Sequence, residues 1–193
     1  DVHLDDLDIA VEIREVCDFL RPRLGVLTGV GVQHLERFRS PERIAEAKYE
    51  LIASLPLDGT AIFNADDEIC ARLAERARDE GRRVLRYGAG NGARGLDVHA
   101  ADLAVAGRGS RFRLETRLGA ALVETPLLGR GNVSNLLAAT AVAVECGLGL
   151  EEICEAAKKL RPAPRRLEVR EEGGITKILD IANANPVGAH MAL

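Results

Sequence analysis

The chain has 193 residues, 47% hydrophobic and 29% charged, with a formal net charge of −4 at pH 7. That composition describes a globular protein rather than a disordered one, and the acidic balance argues against a nucleic-acid partner, which needs a basic face. No run of about 18 apolar residues suggests a membrane span, and no apolar run follows a basic start, so no signal peptide is read and a cytoplasmic location is expected.

Val11 to Leu20 reads as a helix that stops at Arg21-Pro22. Leu24 to Thr28 is a short, continuous apolar strand with glycines after it. Ser40-Pro41-Glu42 opens the next helix, with Ser40 as N-cap and Pro41 in the first turn. Thr60 to Phe63 is a second strand. Asn64-Ala65-Asp66-Asp67 then starts a helix to about Glu80, and Arg83 to Tyr87 is a third strand. This β-α-β-α-β rhythm predicts a parallel sheet covered by helices.

Beyond a glycine-rich loop at Gly88 to Gly95 the pattern changes. Val98 to Val105, Arg111 to Thr116 and Leu122 to Pro126 predict a small antiparallel patch. Helices follow at Asn132 to Glu145 and Leu150 to Leu160, split by Gly147-Leu148-Gly149. Arg166 to Arg170 and Ile175 to Asp180 form a last strand pair joined at Glu172-Gly173-Gly174. The expected fold is α/β: a three-layer, mostly parallel sheet with flanking helices plus a small antiparallel sheet. Residues 1–182 are expected to form one domain, and 183–193, with Pro186, an exit linker.

Four cysteines, Cys17, Cys70, Cys146 and Cys154, form no C-x-x-C pair and lie in apolar helical stretches, which predicts buried free thiols in a reducing compartment. Lys48 is the most informative side chain. Ile44, Leu51 and Leu55 form an apolar stripe at helical spacing, and Lys48 falls inside it. A desolvated ammonium is costly unless it is paired or neutralised. Either it belongs to an ionic or metal-linked site with His34 and Glu36, or its stem snorkels to water.

Other segments suit a nucleotide. Gly88-Ala89-Gly90-Asn91-Gly92-Ala93 fits a dinucleotide fingerprint in letters only; no helix pattern follows, so it reads as a surface turn. A P-loop is excluded, because none of the lysines (Lys48, Lys158, Lys159, Lys177) follows a glycine. Asn64 ends a strand where α/β sheets place ligands, and its amide suits a base edge; Asp66 or Asp67 equally suits a simple helix cap. Asn132 is a natural N-cap, and Asn135 lies one turn in, after Arg130. Arg165 and Arg166 offer bidentate phosphate contacts, of which an extended chain points one to a cleft. Asp180, at a strand end, suits a ribose hydroxyl or a turn.

In order, these pieces resemble the Mur ligase family, and within it the MurF type. The carriers are Arg21-Pro22-Arg23-Leu24-Gly25-Val26-Leu27-Thr28, Gln33-His34-Leu35-Glu36, Ala47-Lys48 and Asn64-Ala65-Asp66-Asp67. They continue with Leu128-Gly129-Arg130, Asn132 and Asn135, then Arg166-Leu167-Glu168 and Asn183-Ala184-Asn185-Pro186. The resemblance implies a central ATPase domain of an ATP-dependent ligase that adds D-Ala-D-Ala to a UDP-muramoyl tripeptide through an acyl phosphate. It implies His34 and Lys48 at a Mg²⁺-linked catalytic centre, with Lys48 as a carbamate. Asn64 and Asn135 would lie on the adenine side, Arg166 at phosphate and Asp180 at ribose, with Asn132 also among the nucleotide-binding residues. The implied partners are a nucleotide and the UDP-muramoyl peptide, with no nucleic acid and no membrane. The chain departs from the family where its P-loop would lie upstream, at Gly31-Val32, Phe38-Arg39-Ser40 and Gly131, and in lacking the flanking domains. It is therefore expected not to catalyse alone. A non-catalytic scaffold that keeps the fold is the alternative, and an uncovered sheet edge suggests a homodimer.

Overall fold

The computed structural model describes residues 7–31, 40–90 and 95–180. They fall into two compact units, divided along the chain between Arg86 and Tyr87.

In the first unit, helix α1 (Leu7–Leu20) ends where Arg21 adopts φ 48° and donates its N–H to Cys17 O at 2.7 Å. Pro22 follows and cannot extend the helix. Strand β1 (Leu24–Leu27) pairs in parallel with β2 (Thr60–Asn64), Leu24 opposite Thr60 and Leu27 opposite Phe63. Between them lies α2 (Pro41–Ala53), capped by the Ser40 hydroxyl, which accepts from Arg43 N–H at 3.3 Å. A Cβ on Gly25 would lie 3.1–3.3 Å from Leu55, Ile52 and Leu51, so the glycine lets α2 and the residues after it press onto β1. Every residue of β2 is buried, as a central parallel strand requires. Helix α3 (Glu68–Asp79) buries Cys70, Leu73, Ala74 and Ala77, and β3 (Arg83–Gly88) follows.

In the second unit the end of β3 pairs in parallel with β4 (Val98–Ala106), through Tyr87 and Val98. Strands β5 (Gly109–Thr116) and β6 (Gly119–Thr125) continue antiparallel. Phe112, Leu114 and Val123 are buried while Arg111, Arg113, Leu122 and Glu124 are exposed, the alternation of a sheet covered on one face. Helix α4 (Arg130–Glu145) buries Val133, Leu137 and Ala141 and packs on β4; α5 (Leu150–Lys159) packs on β6. Gly147, at φ 87°, closes α4, with Leu148 N–H on Ala143 O at 3.0 Å. Strands β7 (Glu168–Glu172) and β8 (Ile175–Leu179) form a separate hairpin. It turns at Gly173 and Gly174, both at positive φ.

The strands of the main sheet thus follow chain order from β1 to β6. The expected α/β architecture is present: a mostly parallel sheet with its helices and a small antiparallel sheet. The predicted antiparallel patch extends the same sheet rather than standing apart. The thiol expectation needs one correction, since Cys146 is exposed at the end of α4 and Cys154 is half-buried. Among the described residues no helix is long and apolar enough to cross a membrane. The proposed exit segment, 183–193, lies outside the described residues.

Candidate functional site

The carboxyl end of β1 is held by three elements. Thr28 O accepts from Asn64 Nδ2 at 2.9 Å, Gly29 O accepts from Lys48 Nζ at 2.7 Å, and Val30 N–H donates to Asp67 Oδ2 at 3.1 Å. Asp67 spends its other oxygen on Cys70 N–H at 2.8 Å, which caps α3. Of the two aspartates, Asp67 is therefore the cap. Asp66 instead donates its backbone N–H to Asn64 Oδ1 at 3.0 Å, an Asx turn.

Lys48 is half-buried at the edge of the packed face of α2, whose buried residues are Ile44, Ala45, Ala47, Tyr49 and Ile52. Its ammonium ends on a backbone carbonyl, and among the described residues it forms no ion pair with a carboxylate. Beside it runs a groove of about 460 Å³, lined by Ile13, Val16 and Cys17 of α1, Val26 to Gly29, and Lys48 and Leu51 of α2. Lys48 is the only charged residue in that lining, among the described residues. Cys70 is fully buried behind the site; burial, then the neighbouring Asp67 carboxylate, pushes its thiol up to about 12. His34 and Glu36 lie outside the described residues. No group of three His, Cys, Asp or Glu side chains that would hold a metal occurs among the described residues.

In the second unit the expectation for Asn132 is corrected. Gly129, at φ 89°, is the N-cap of α4, and no side chain caps it. Asn132 already lies inside the helix and donates Nδ2 back to Leu128 O at 2.8 Å. The left-handed Gly129 lets the chain enter the helix three residues early, which a preference for asparagine at caps does not foresee. Asn135, one turn further, is exposed. An uncapped first turn leaves backbone N–H groups suited to an anion or to the polar edge of a nucleotide, and the Asn135 amide offers both a donor and an acceptor.

Arg166 is exposed in a turn, not in the strand expected to begin there. Its neighbours Arg165 (φ 63°) and Leu167 (φ 46°) are left-handed, so the alternation argument for an extended arginine pair does not apply. A Cβ on Gly129 would lie 2.7 Å from Leu167 Cδ1, which puts this turn against the start of α4. Asp180 is half-buried directly after β8. Three contacts escaped sequence reasoning. Arg130 Nη2 donates to Ala89 O at 2.7 Å, and the His99 ring lies 3.2 Å from Glu115 Oε2 and 3.3 Å from Gly90 O. Two of them end on backbone carbonyls, which leave no mark on a residue pattern. The structure thus gathers Lys48, Asn64 and Asp67 on the Thr28–Val30 segment, and sets the Arg166 turn beside the helix start that carries Asn132 and Asn135.

The sequence matches the model of the Mur ligase middle domain over residues 9–143. A UDP-N-acetylmuramoyl-tripeptide--D-alanyl-D-alanine ligase of Mycobacterium bovis is 36% identical over 179 residues, 90% of this chain and 34% of that protein. A crystal structure of MurF from Acinetobacter baumannii is similar at a TM-score of 0.82 and 27% identity, covering 93% of this chain and 38% of that one. MurF ligase from Thermotoga maritima, solved in complex with ADP, shares the fold at a TM-score of 0.80 and 24% identity, covering 94% of this chain and 40% of that one. The chain spans about a third of the length of the M. bovis relative. With the family model matching well over half of its residues, the chain belongs to the Mur ligase family.

Proposed function

We propose that this chain is the nucleotide-handling part of an ATP-dependent ligase of peptidoglycan precursor synthesis, of the type that joins D-alanyl-D-alanine to a UDP-muramoyl tripeptide. The observation that carries the reading is the likeness to a D-alanyl-D-alanine-adding ligase along nine-tenths of the chain. Bound ATP would supply the phosphoryl group that activates a substrate carboxylate for attack by an amine.

The residues of the chain divide the work. The open first turn of α4 with Asn132 and Asn135 faces the adenine, Arg166 meets phosphate, and Asp180 accepts from a ribose hydroxyl. Lys48 and His34 belong to the reacting end, where a fixed charge stabilises the charge that develops. Lys48 is assigned a carbamate in the working enzyme. CO₂ bonds to Nζ with the loss of two protons to solvent, which leaves one N–H to keep the bond to Gly29 O and adds an anion at the mouth of the groove. Asn64, whose amide already bonds Thr28 and Asp66, contributes through that segment. The described residues do not by themselves fit a Mg²⁺ site.

Calorimetric titration of the chain with ADP or ATP in the presence of Mg²⁺ tests this. Binding is expected, weakened about tenfold by Asn135→Ala, the loss of one good hydrogen bond. Absence of heat at millimolar nucleotide rejects it and leaves a scaffold that keeps only the fold. A homodimer through the outer edge of β1 belongs to the same proposal; the position of β1 at the end of the strand order supports it.

A further inference from the structure

Three consecutive residues after β1 are tied to three different elements: Thr28 to the end of β2, Gly29 to α2, and Val30 to the start of α3. The β1–β2 ladder ends at Leu27 and Phe63, so the segment leaves the sheet with its backbone groups in need of other partners. Side chains supply them. Capping α3 needs a single oxygen, and a serine or threonine would provide it. Asp67 provides two, and the second reaches Val30, 37 positions away. Asn64 is 9% exposed, in a strand otherwise made of Thr, Ala, Ile and Phe. A buried amide there is costly unless both ends are bonded, and both are, to Thr28 O and to Asp66 N–H.

We propose that Asp67 and Asn64 are positioning residues. They fix Thr28-Gly29-Val30 and, through the Gly29 carbonyl, the Lys48 ammonium, at the place where the phosphate end of the nucleotide is handled. The inference deepens the ligase reading and rests on it for what is being positioned. Neither residue touches the nucleotide in this account. A displacement of the first turn of α3 reaches Lys48 through two hydrogen bonds on one peptide group, which supplies the Val30 N–H and the Gly29 carbonyl.

The variant Asp67→Ser separates the two jobs of the aspartate, because serine still caps Cys70 N–H but is too short to reach Val30 as well. Amide hydrogen exchange is followed at Val30 and along α3, with the melting temperature and the affinity for MgADP measured on the same samples. The expected result is about tenfold faster exchange at Val30 and about tenfold weaker MgADP, the loss of roughly one hydrogen bond. Protection over residues 69–79 and the melting temperature stay close to wild type. Unchanged exchange at Val30 overturns the proposal, and so does acceleration that appears only together with lost protection throughout α3. Asn64→Ala, read at the Thr28–Val30 amides, decides the matter in the same way if Asp67→Ser does not fold. Should the unaltered chain bind no nucleotide, the ligase reading fails, while the exchange data still decide whether these residues hold the segment.

Discussion

Lys48 Nζ donates to the carbonyl oxygen of Gly29 at 2.7 Å, across nineteen positions of sequence. The bond explains how a cation survives in an apolar stripe: its stem lines the groove while its head satisfies a carbonyl that the sheet has released. Lys48→Met keeps the stem and removes the donor. It is expected to lower stability by about 1–2 kcal/mol, the range for a hydrogen bond with one charged partner that is only part-buried. Urea denaturation measures this; a midpoint equal to wild type would mean that the bond is idle. The same variant is expected to weaken MgADP binding if Lys48 serves the reacting end.

The proposed carbamate makes a separate prediction. A carbamate forms on an uncharged amine, and it persists where its anion has a use. Lys158, Lys159 and Lys177 are exposed, and Lys158 and Lys177 are also paired with Glu155 and Glu172 at 2.5 and 2.6 Å. Native mass spectrometry in bicarbonate should therefore find one CO₂ adduct, absent from Lys48→Met. An adduct that survives in Lys48→Met would place the modification elsewhere.

The Tyr49 hydroxyl donates to Glu80 Oε2 at 2.7 Å, and Arg76 sits 4.1 Å over the tyrosine ring while also donating to Glu80. Chiefly the bond from Tyr49, and after it those from Arg76 and Arg82, hold the Glu80 carboxyl below the usual range. Burial first, then Glu80, pushes the Tyr49 phenol up. The signs differ at the two ends of the pH scale. The stabilisation from Glu80 is complete above the unfolded carboxylate value of about 4.3 and is lost as pH falls through the lower folded value. Tyr49 costs stability above about pH 10, where the unfolded chain ionises and the folded one does not. Glu80→Gln should flatten the acid limb of stability against pH, and Tyr49→Phe both limbs. Curves that remain parallel to wild type would show that the pair is not coupled to folding.

Thiol chemistry separates the cysteines. Cys146 is exposed, whereas Cys17 and Cys70 are buried and the Cys70 thiol is pushed up to about 12. Reactivity follows thiolate content and access. Labelling with a disulfide reagent near pH 8 should reach Cys146 first, and Cys17 and Cys70 only on unfolding. Early modification of Cys70 would contradict its place in the core.

What could be read in advance depended on where the information lies. The start of α2 was legible because Ser40 and Pro41 are local signals, and β2 was legible because a buried parallel strand is continuously apolar. The start of α4 was misread because Gly129, not Asn132, takes the cap, and a positive φ at glycine competes with the preference for asparagine. In the site, Lys48 stood out by breaking its stripe, but its partner is a carbonyl, which sequence does not display. Asp67 looked like a cap and is one. Its second bond, to Val30, depends on β1 and β2 lying side by side, which is tertiary information. The sequence reading begins the last strand pair at Arg166; two left-handed residues, Arg165 and Leu167, delay that strand to Glu168.

Strand β1 lies at the rim of the main sheet. Strands at the rim of a sheet usually carry charge or proline that discourages pairing. Leu24-Gly25-Val26-Leu27 carries neither, and it stands at one end of the strand order. Helix α1 adds apolar surface in the same unit, with Val16 53% and Phe19 86% exposed, and Val16 lines the groove beside Val26. Uncovered apolar area of this kind favours association, and a two-fold axis would pair the same strand of two copies. Light scattering on a sizing column should give twice the 20.8 kDa chain mass at high concentration. Val16→Lys, which sets a charge in the groove, should shift the equilibrium toward the single chain. A mass of 20.8 kDa at every concentration would remove the dimer and leave the nucleotide site untouched.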